Sequence, residues 1–411
     1  MRSRLLLALC LLASLVVSGS ARAEPKPEPG PGFVKTSNVE YLGTVPLDGD
    51  TAGARLLGKT FYVLTAKGLT IYDVTNPLIP VPLGATVLPH TPNQEREDVD
   101  TNGKILIAGQ SYLGILYVVD VSNPRLPVLL SRLSGAADHT NSCILDCTYV
   151  YGSEGTITDL RDPKNPKVVG DTGINGHDVT EIQPGLVMTA SNPIFYLDAR
   201  RNPARPTRIG GGSLGDDGNY YNHGVEWPRG GADRFVLAGT ENSFCSNEKL
   251  GSFQVLDASS FAKTRRLKHV STFYLEQGLQ TEGKSPINEY CGHWFKPRPD
   301  FRNGGIVAMA WYGFGVRFLE VTPKGDIVEK GYFVPLPGHS SSAYWMNDEI
   351  VYALDYTARG FDILRFDGNA PAERDPVNPG RSVRVDRDLV PSTVVPVRRG
   401  NQYVCPVPTS V

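Results

Sequence analysis

One phrase recurs along this chain and limits what it can fold into: a short β-rich run, an acidic residue, then a turn, often Asn-Pro, that leads into a second β run. It reads LTIYDVTNPLIPV at Leu69–Val81, ILYVVDVSNPRLPVL at Ile115–Leu129, TITDLRDPKNPKVV at Thr156–Val169 and IFYLDARRNPARPTR at Ile194–Arg208. Looser copies follow at Ser252–Arg265, Gly315–Val328 and Gly360–Gly368. The acidic position is Asp73, Asp120, Asp159, Asp198, Asp257 and then Glu320, with Arg365 in the last copy. Strand, turn and strand at a period near 40 residues is the mark of a β-propeller built from four-stranded antiparallel blades. Seven copies predict seven blades. One blade cannot bury both of its faces, so neighbours must stack radially, with the alternating Val, Ile, Leu, Tyr and Phe of each run packed between them. Pro after Asn forces the turn, and a short acidic side chain at that point is explained by bonds to local backbone amides.

The N-terminal run Val39–Leu47 (VEYLGTVPL) resembles the outer strand that follows the other turns, yet no strands of its own blade precede it. It is expected to complete blade seven and tie the two ends of the propeller together. The propeller then spans 38–368. Wider spacings in blades five and six place insertions near 242–249 and 281–290, as loops projecting from one face. The tail 369–411 is rich in Pro and charge and is read as a wrapping or loose segment.

Arg2 and Arg4 precede an apolar run from Leu5 to Val17, and Ala21-Arg22-Ala23 supplies a small-x-small cleavage pattern. Residues 1–23 are therefore expected to be a signal peptide that directs the product out of the cell, and 24–37 a Pro-rich spacer. No later stretch approaches the length needed for an apolar membrane span. With 41 basic and 43 acidic residues the chain has a formal net charge of −2. The leader removes three of those arginines, and this acidity gives no reason to expect nucleic acid as a partner. Arg200, Arg201, Arg205 and Arg208 read as a solvated edge.

In an exported chain, cysteines are disulfide candidates first. Cys143 and Cys147 sit where one strand of blade three turns into the next, Cys245 and Cys291 fall in the two insertions, and Cys405 is the odd one. Metal ligation is the competing reading, since Cys291 is two residues from His293 and Cys143 four from His139.

Five of the seven histidines fall at one position of the repeat, at the start of the strand about 20 residues before the acidic one: His139, His177, His223, His293 and His339, with Glu97 there in blade two. The first strand of each blade lines the axis of a propeller, so these side chains are expected to form a rim at the channel mouth. Imidazole is the commonest ligand of Zn, Cu and Fe, and a carboxylate commonly joins it. Trp227, Trp294, Trp311, Tyr312 and Trp345 lie near these strands as candidate walls, although aromatics at blade junctions are also ordinary packing. No nucleophile elbow and no phosphate-cradling glycine loop is present.

YVVDVSNPRLPVLL and IYDVTNPLIPVPLG resemble the LVIVD repeat, a motif of exported propellers, over roughly 39 to 366. The resemblance implies fold far more than activity. The expected function is binding of an extracellular ligand or protein, with a transition metal (Cu, Fe or Zn) on the histidine rim; the alternative is a Cu- or Fe-dependent oxidoreductase that uses the same rim.

Overall fold

A computed structural model describes residues 32–89, 99–214, 221–241, 251–275, 292–336, 338–356 and 359–369. Seven antiparallel sheets follow one another around a closed ring. Blade one is Thr51–Leu57, Thr60–Thr65, Gly68–Asp73 and Val81–Val87, and blade two is Val99–Thr101, Ile105–Gln110, Ile115–Asp120 and Val128–Ser134. Asn141–Ile144, Tyr149–Gly152, Thr156–Asp159 and Lys167–Asp171 make blade three; Asp178–Gln183, Leu186–Ala190, Ile194–Asp198 and Thr207–Gly212 make blade four. Blade five holds Tyr221–Glu226, Phe235–Glu241, Phe253–Asp257 and Lys268–Phe273; blade six holds Phe295–Pro297, Gly305–Ala310, Val316–Val321 and Ile327–Leu336. Blade seven is completed from the other end of the chain: Ser340–Trp345, Ile350–Asp355 and Phe361–Phe366 pair with the N-terminal Val39–Val45, as the sequence predicts.

The spacer assignment needs correction. Gly32–Lys35, placed by sequence in the Pro-rich spacer, is a strand that adds to the outer edge of blade six, with Lys35 opposite Phe333. The stacked rings of Tyr41 and Phe333, 5.9 Å apart, show how this second crossing ties blade six to blade seven. A short Gly-Phe-Val-Lys run carries too little alternation to be seen as a strand alone. The insertions at 242–249 and 281–290, the tail from 370 and the leader lie outside the described residues. Among the described residues no helix is long and apolar enough to cross a membrane.

The apolar side chains sort into seven clusters, each drawn mainly from two adjacent blades. Phe235, Leu237 and Phe253 of blade five, for example, meet Val307, Met309 and Leu319 of blade six. The middle strands are buried on both faces, which is why their sequences read as continuous apolar runs such as FVLAG and GIVAMA, and exposure is concentrated in the outermost strands such as Val81–Val87 and Lys167–Asp171. The repeated acids do what the turn chemistry requires: Asp73 accepts from the Thr75 amide, Asp120 from Ser122, Asp159 from Arg161, Asp198 from Arg200 and Asp257 from Ser259, all at 2.7 to 3.0 Å. Arg200 also clasps Asp198, so this arginine serves its own turn, and its guanidinium draws the half-buried Asp198 carboxyl down to about 2.

The N-terminal closure makes a direct claim on stability. A chain starting after Leu47 leaves the Phe361–Phe366 edge unpaired and uncovers the Ile306–Phe318–Leu364 cluster, in which Val39 is wholly buried. Its melting temperature is expected to fall by at least about 10 °C against a chain starting at Gly32, since losing one core residue alone costs about 1–3 kcal/mol. Equal melting temperatures in a thermal scan would remove the closing role of this strand.

Candidate functional site

Three of the repeated histidines are held at the start of an inner strand by a backbone bond to the end of the second strand of their own blade, while His223 sits at a register shift within its strand. His177 donates its amide to Ala190 O at 2.8 Å, His293 to Ala310 O at 2.9 Å, and His339 O receives the Tyr356 amide at 2.8 Å. Inner strands of neighbouring blades touch around the ring, and at the junction of blades five and six Gly224 lets them close up: a Cβ there would lie 3.3 Å from the Trp294 ring. The shared register therefore points all five imidazoles at the axis.

They form a continuous arc. His139 Nε2 and His177 Nε2 are 2.9 Å apart, a hydrogen bond in which one ring donates its Nε2–H and the other, in the opposite tautomer, accepts. The rings of His177 and His223 lie 3.8 Å apart, those of His223 and His293 4.1 Å, and Tyr312 then bridges His293 (4.6 Å) to His339 (4.7 Å). Tyr356 Oη meets His293 Nε2 at 3.1 Å, and His293 Nδ1 faces Ser341 O.

The histidines are gathered, but not at an open mouth. His223 and His293 have no exposed surface and His177 has 1%, so the expected rim is a buried core instead. Glu97 lies outside the described residues, as do Cys245, Cys291 and Cys405. Cys143 and Cys147 are bonded to each other across the hairpin base of blade three, in agreement with the disulfide expectation. Of the candidate walls, Trp294 and Tyr312 touch the arc, the former 4.7 Å from His223. Trp227, Trp311 and Trp345 pack instead with Phe261, Phe273 and Phe318 between blades.

The acid that joins the histidines is Glu241, which the sequence reading passed over. It ends the second strand of blade five, is 6% exposed, and places Oε2 3.9 Å from His223 Nε2. Tyr312 donates to its Oε1 at 2.7 Å from a backbone turn with φ of 37°, a conformation that non-glycine residues adopt only at a cost. His177, His223 and Glu241 each offer one ligand atom within 4.8 Å of the other two, the one such trio among the described residues. A signal for Glu241 did exist: the second strands of blades five and seven end in an acid, Glu241 and Asp355, where the others end in Thr65, Gln110, Gly152, Ala190 and Ala310. Asp355 serves the backbone, accepting the His339 amide at 2.6 Å.

Burial dominates the electrostatics. It pushes the Asp178 carboxyl well above the ordinary carboxylate range, against the pull of the Val179 amide and Lys296. Burial first, then the neighbouring His293, hold the His339 imidazole down to about 3 from its ordinary 6.5.

No protein-family model matches the chain, and no curated protein matches its sequence. Solved structures do match in shape. The β-propeller domain of Myceliophteria thermophila Cps50 (Swd1) aligns with a TM-score of 0.54 at 10% identity, over 80% of this chain and all of that one. The RRP9 WD40 repeats align at 0.52 and 10%, over 82% of this chain and 100% of theirs. Chaetomium thermophilum Raptor aligns at 0.53 and 12%, over 80% of this chain and 29% of Raptor. At such identities the likeness reaches the fold alone, and what it defines is a seven-bladed β-propeller.

The neutral state of His339 sets a pH dependence. Between pH 6.5 and about 3 the unfolded chain takes up a proton that the folded site refuses, so stability falls as pH falls through that window, by up to about 1.4 kcal/mol per pH unit for one such group. His339→Gln is expected to flatten the loss of urea-unfolding free energy between pH 7 and 5; an unchanged slope would show that this histidine is not the acid-sensitive group.

Proposed function

We propose that this chain is an exported binding module of the β-propeller class that holds one divalent transition metal ion on His177, His223 and Glu241. The observation that carries the reading is the convergence of those three ligand atoms within 4.8 Å of one another in a buried site. Metal–ligand bonds of about 2.0–2.2 Å set ligand atoms roughly 3–3.6 Å apart, so small side-chain rotations close the trio around an ion. The donor set fits Zn, Fe or Cu: imidazole nitrogen with one carboxylate suits all three and disfavours Ca and Mg, which take oxygen. The surrounding groups supply the outer support that metal sites need. Tyr312 orients the carboxylate, and the contact between His139 and His177 fixes which nitrogen of His177 faces inward. Export rests on the leader at 1–23.

Two imidazoles and one carboxylate leave coordination positions open, the arrangement under which bound iron supports oxidoreductase chemistry. That second reading follows only if the metal is iron or copper, so the metal's identity separates the two.

Elemental analysis of the purified protein is the test, together with refilling after chelation by Zn, Cu or Fe(II). About one equivalent of a single metal is expected, with Glu241→Gln and His223→Gln losing it while keeping their β-sheet circular dichroism. Tyr312→Phe keeps the ligands but removes the donor to Glu241, and is expected to weaken metal affinity about 10- to 100-fold. A protein that stays metal-free after refilling would overturn the reading.

A further inference from the structure

The indole of Trp294 has the histidine arc on one side. On the other, the inner strands part to form an axial cavity of about 260 Å³, with residues from six of the seven blades in its wall. The wall is unevenly charged. Four carboxylates, Asp100, Asp146, Asp178 and Glu181, face it against two cations, Arg55 and Lys296. Both cations are already committed: Arg55 pairs with Asp100 at 3.1 Å, and Lys296 with Glu226, which is not part of the wall, at 2.9 Å. Glu181 is satisfied by the amides of Leu145 and Gly185 at 2.8 and 2.7 Å. Asp178 differs. It is 5% exposed, accepts from the neighbouring Val179 amide and, at longer range, from the hydroxyls of Thr180 (3.2 Å) and Thr140 (3.5 Å), and has no cation within ion-pairing distance among the described residues. Ser342 also lines the cavity, is wholly buried, and its Oγ has no hydrogen bond among the described residues.

We propose that this axial cavity binds a small organic primary ammonium ion, with Asp178 as its counter-charge. A carboxylate on the cavity wall with no cation beside it, next to a hydroxyl with no partner among the described residues, complements a positively charged ligand that also donates hydrogen bonds. A bare metal ion is not the match, because the carboxylates sit on three blades and no three of them converge, the His177–His223–Glu241 trio being the one such group among the described residues. The space holds a molecule of several heavy atoms. The ring of Trp294 and the ring of Tyr344 line it with aromatic surface, against which an organic cation is attracted and a hydrated inorganic one is not. A primary ammonium fits better than a quaternary one because the spare groups at the wall, the Asp178 carboxylate and the Ser342 hydroxyl, accept N–H donors.

This site is independent of the metal reading, and its test is built to keep the two apart. n-Butylammonium is titrated into the full protein by calorimetry, before and after chelator treatment, with n-butanol and tetramethylammonium as probes of the same bulk. One saturable site for n-butylammonium is expected, unaltered by chelation, with both controls at least about tenfold weaker. Asp178→Asn, which keeps the shape and removes the charge, is expected to weaken binding about 10- to 100-fold, and Ser342→Ala by a smaller factor. Circular dichroism and melting of each variant report folding, and if Asp178→Asn is unfolded, Ser342→Ala and the two control probes still decide. Absence of saturable binding at about 10 mM amine, or equal binding of n-butanol, would overturn the proposal. So would an unchanged affinity in folded Asp178→Asn.

Discussion

A four-stranded blade here has two apolar faces and no way to cover either of them alone. The middle strands carry side chains such as Phe61, Tyr117, Phe253 and Phe318 that are wholly buried, and each finds its partners on an adjacent blade. Burying apolar surface is the largest favourable contribution to folding, so seven mutually dependent faces leave one arrangement in which none is left wet: a closed ring. Closure brings its own difficulty, since the first and last blades are far apart in the chain. The protein meets it twice, with Val39–Val45 in blade seven and Gly32–Lys35 on the edge of blade six, so that residues near the N-terminus lock both of the last two blades.

Radial closure is also what makes the centre chemically unusual. Inner strands that must touch their neighbours bring the same repeat position of successive blades to the axis, and here that position is histidine in blades three to seven. A single imidazole in each blade would be an ordinary polar residue at a strand start. Shielded from water, four of them follow one another at ring separations near 4 Å and Tyr312 joins the fifth, His339, so that each ring depends on a neighbour for a hydrogen bond or a stacking partner. At the blade-seven end of the arc, burial holds the His339 imidazole down to about 3. Glu241 and Tyr312 give this unit its asymmetry: they collect a carboxylate on the blade-five side, next to His223, so the trio forms at that point of the arc.

Trp294 divides the axis. Its ring rests against the imidazoles and also lines the acidic cavity, so the two regions share a wall while differing in chemistry, imidazole nitrogens on one side and buried carboxylate on the other. Gly224 permits this placement by letting the indole approach the inner strand of blade five.

What the sequence determined was whatever repeats. The turn acids, the apolar periodicity, the number of blades, the closing strand and the register of five histidines all recur or complete a recurrence, and a recurrence is readable because each copy checks the others. The Cys143–Cys147 bond was equally local, being a matter of four residues across one hairpin. What only the tertiary structure decided was whatever occurs once. Glu241 lies 18 residues beyond His223 in sequence and Tyr312 another 71 beyond that, and nothing in their local sequence says that they share one carboxylate–phenol bond. The same holds for burial: strand-start residues were expected at an open rim, but whether an axis is open depends on how far side chains from all seven blades reach across it. The edge strand at Gly32–Lys35 and the carboxylate of Asp178 belong to this class too, because an edge pairing and an enclosed charge are set by what lies opposite in space, which chain order does not encode.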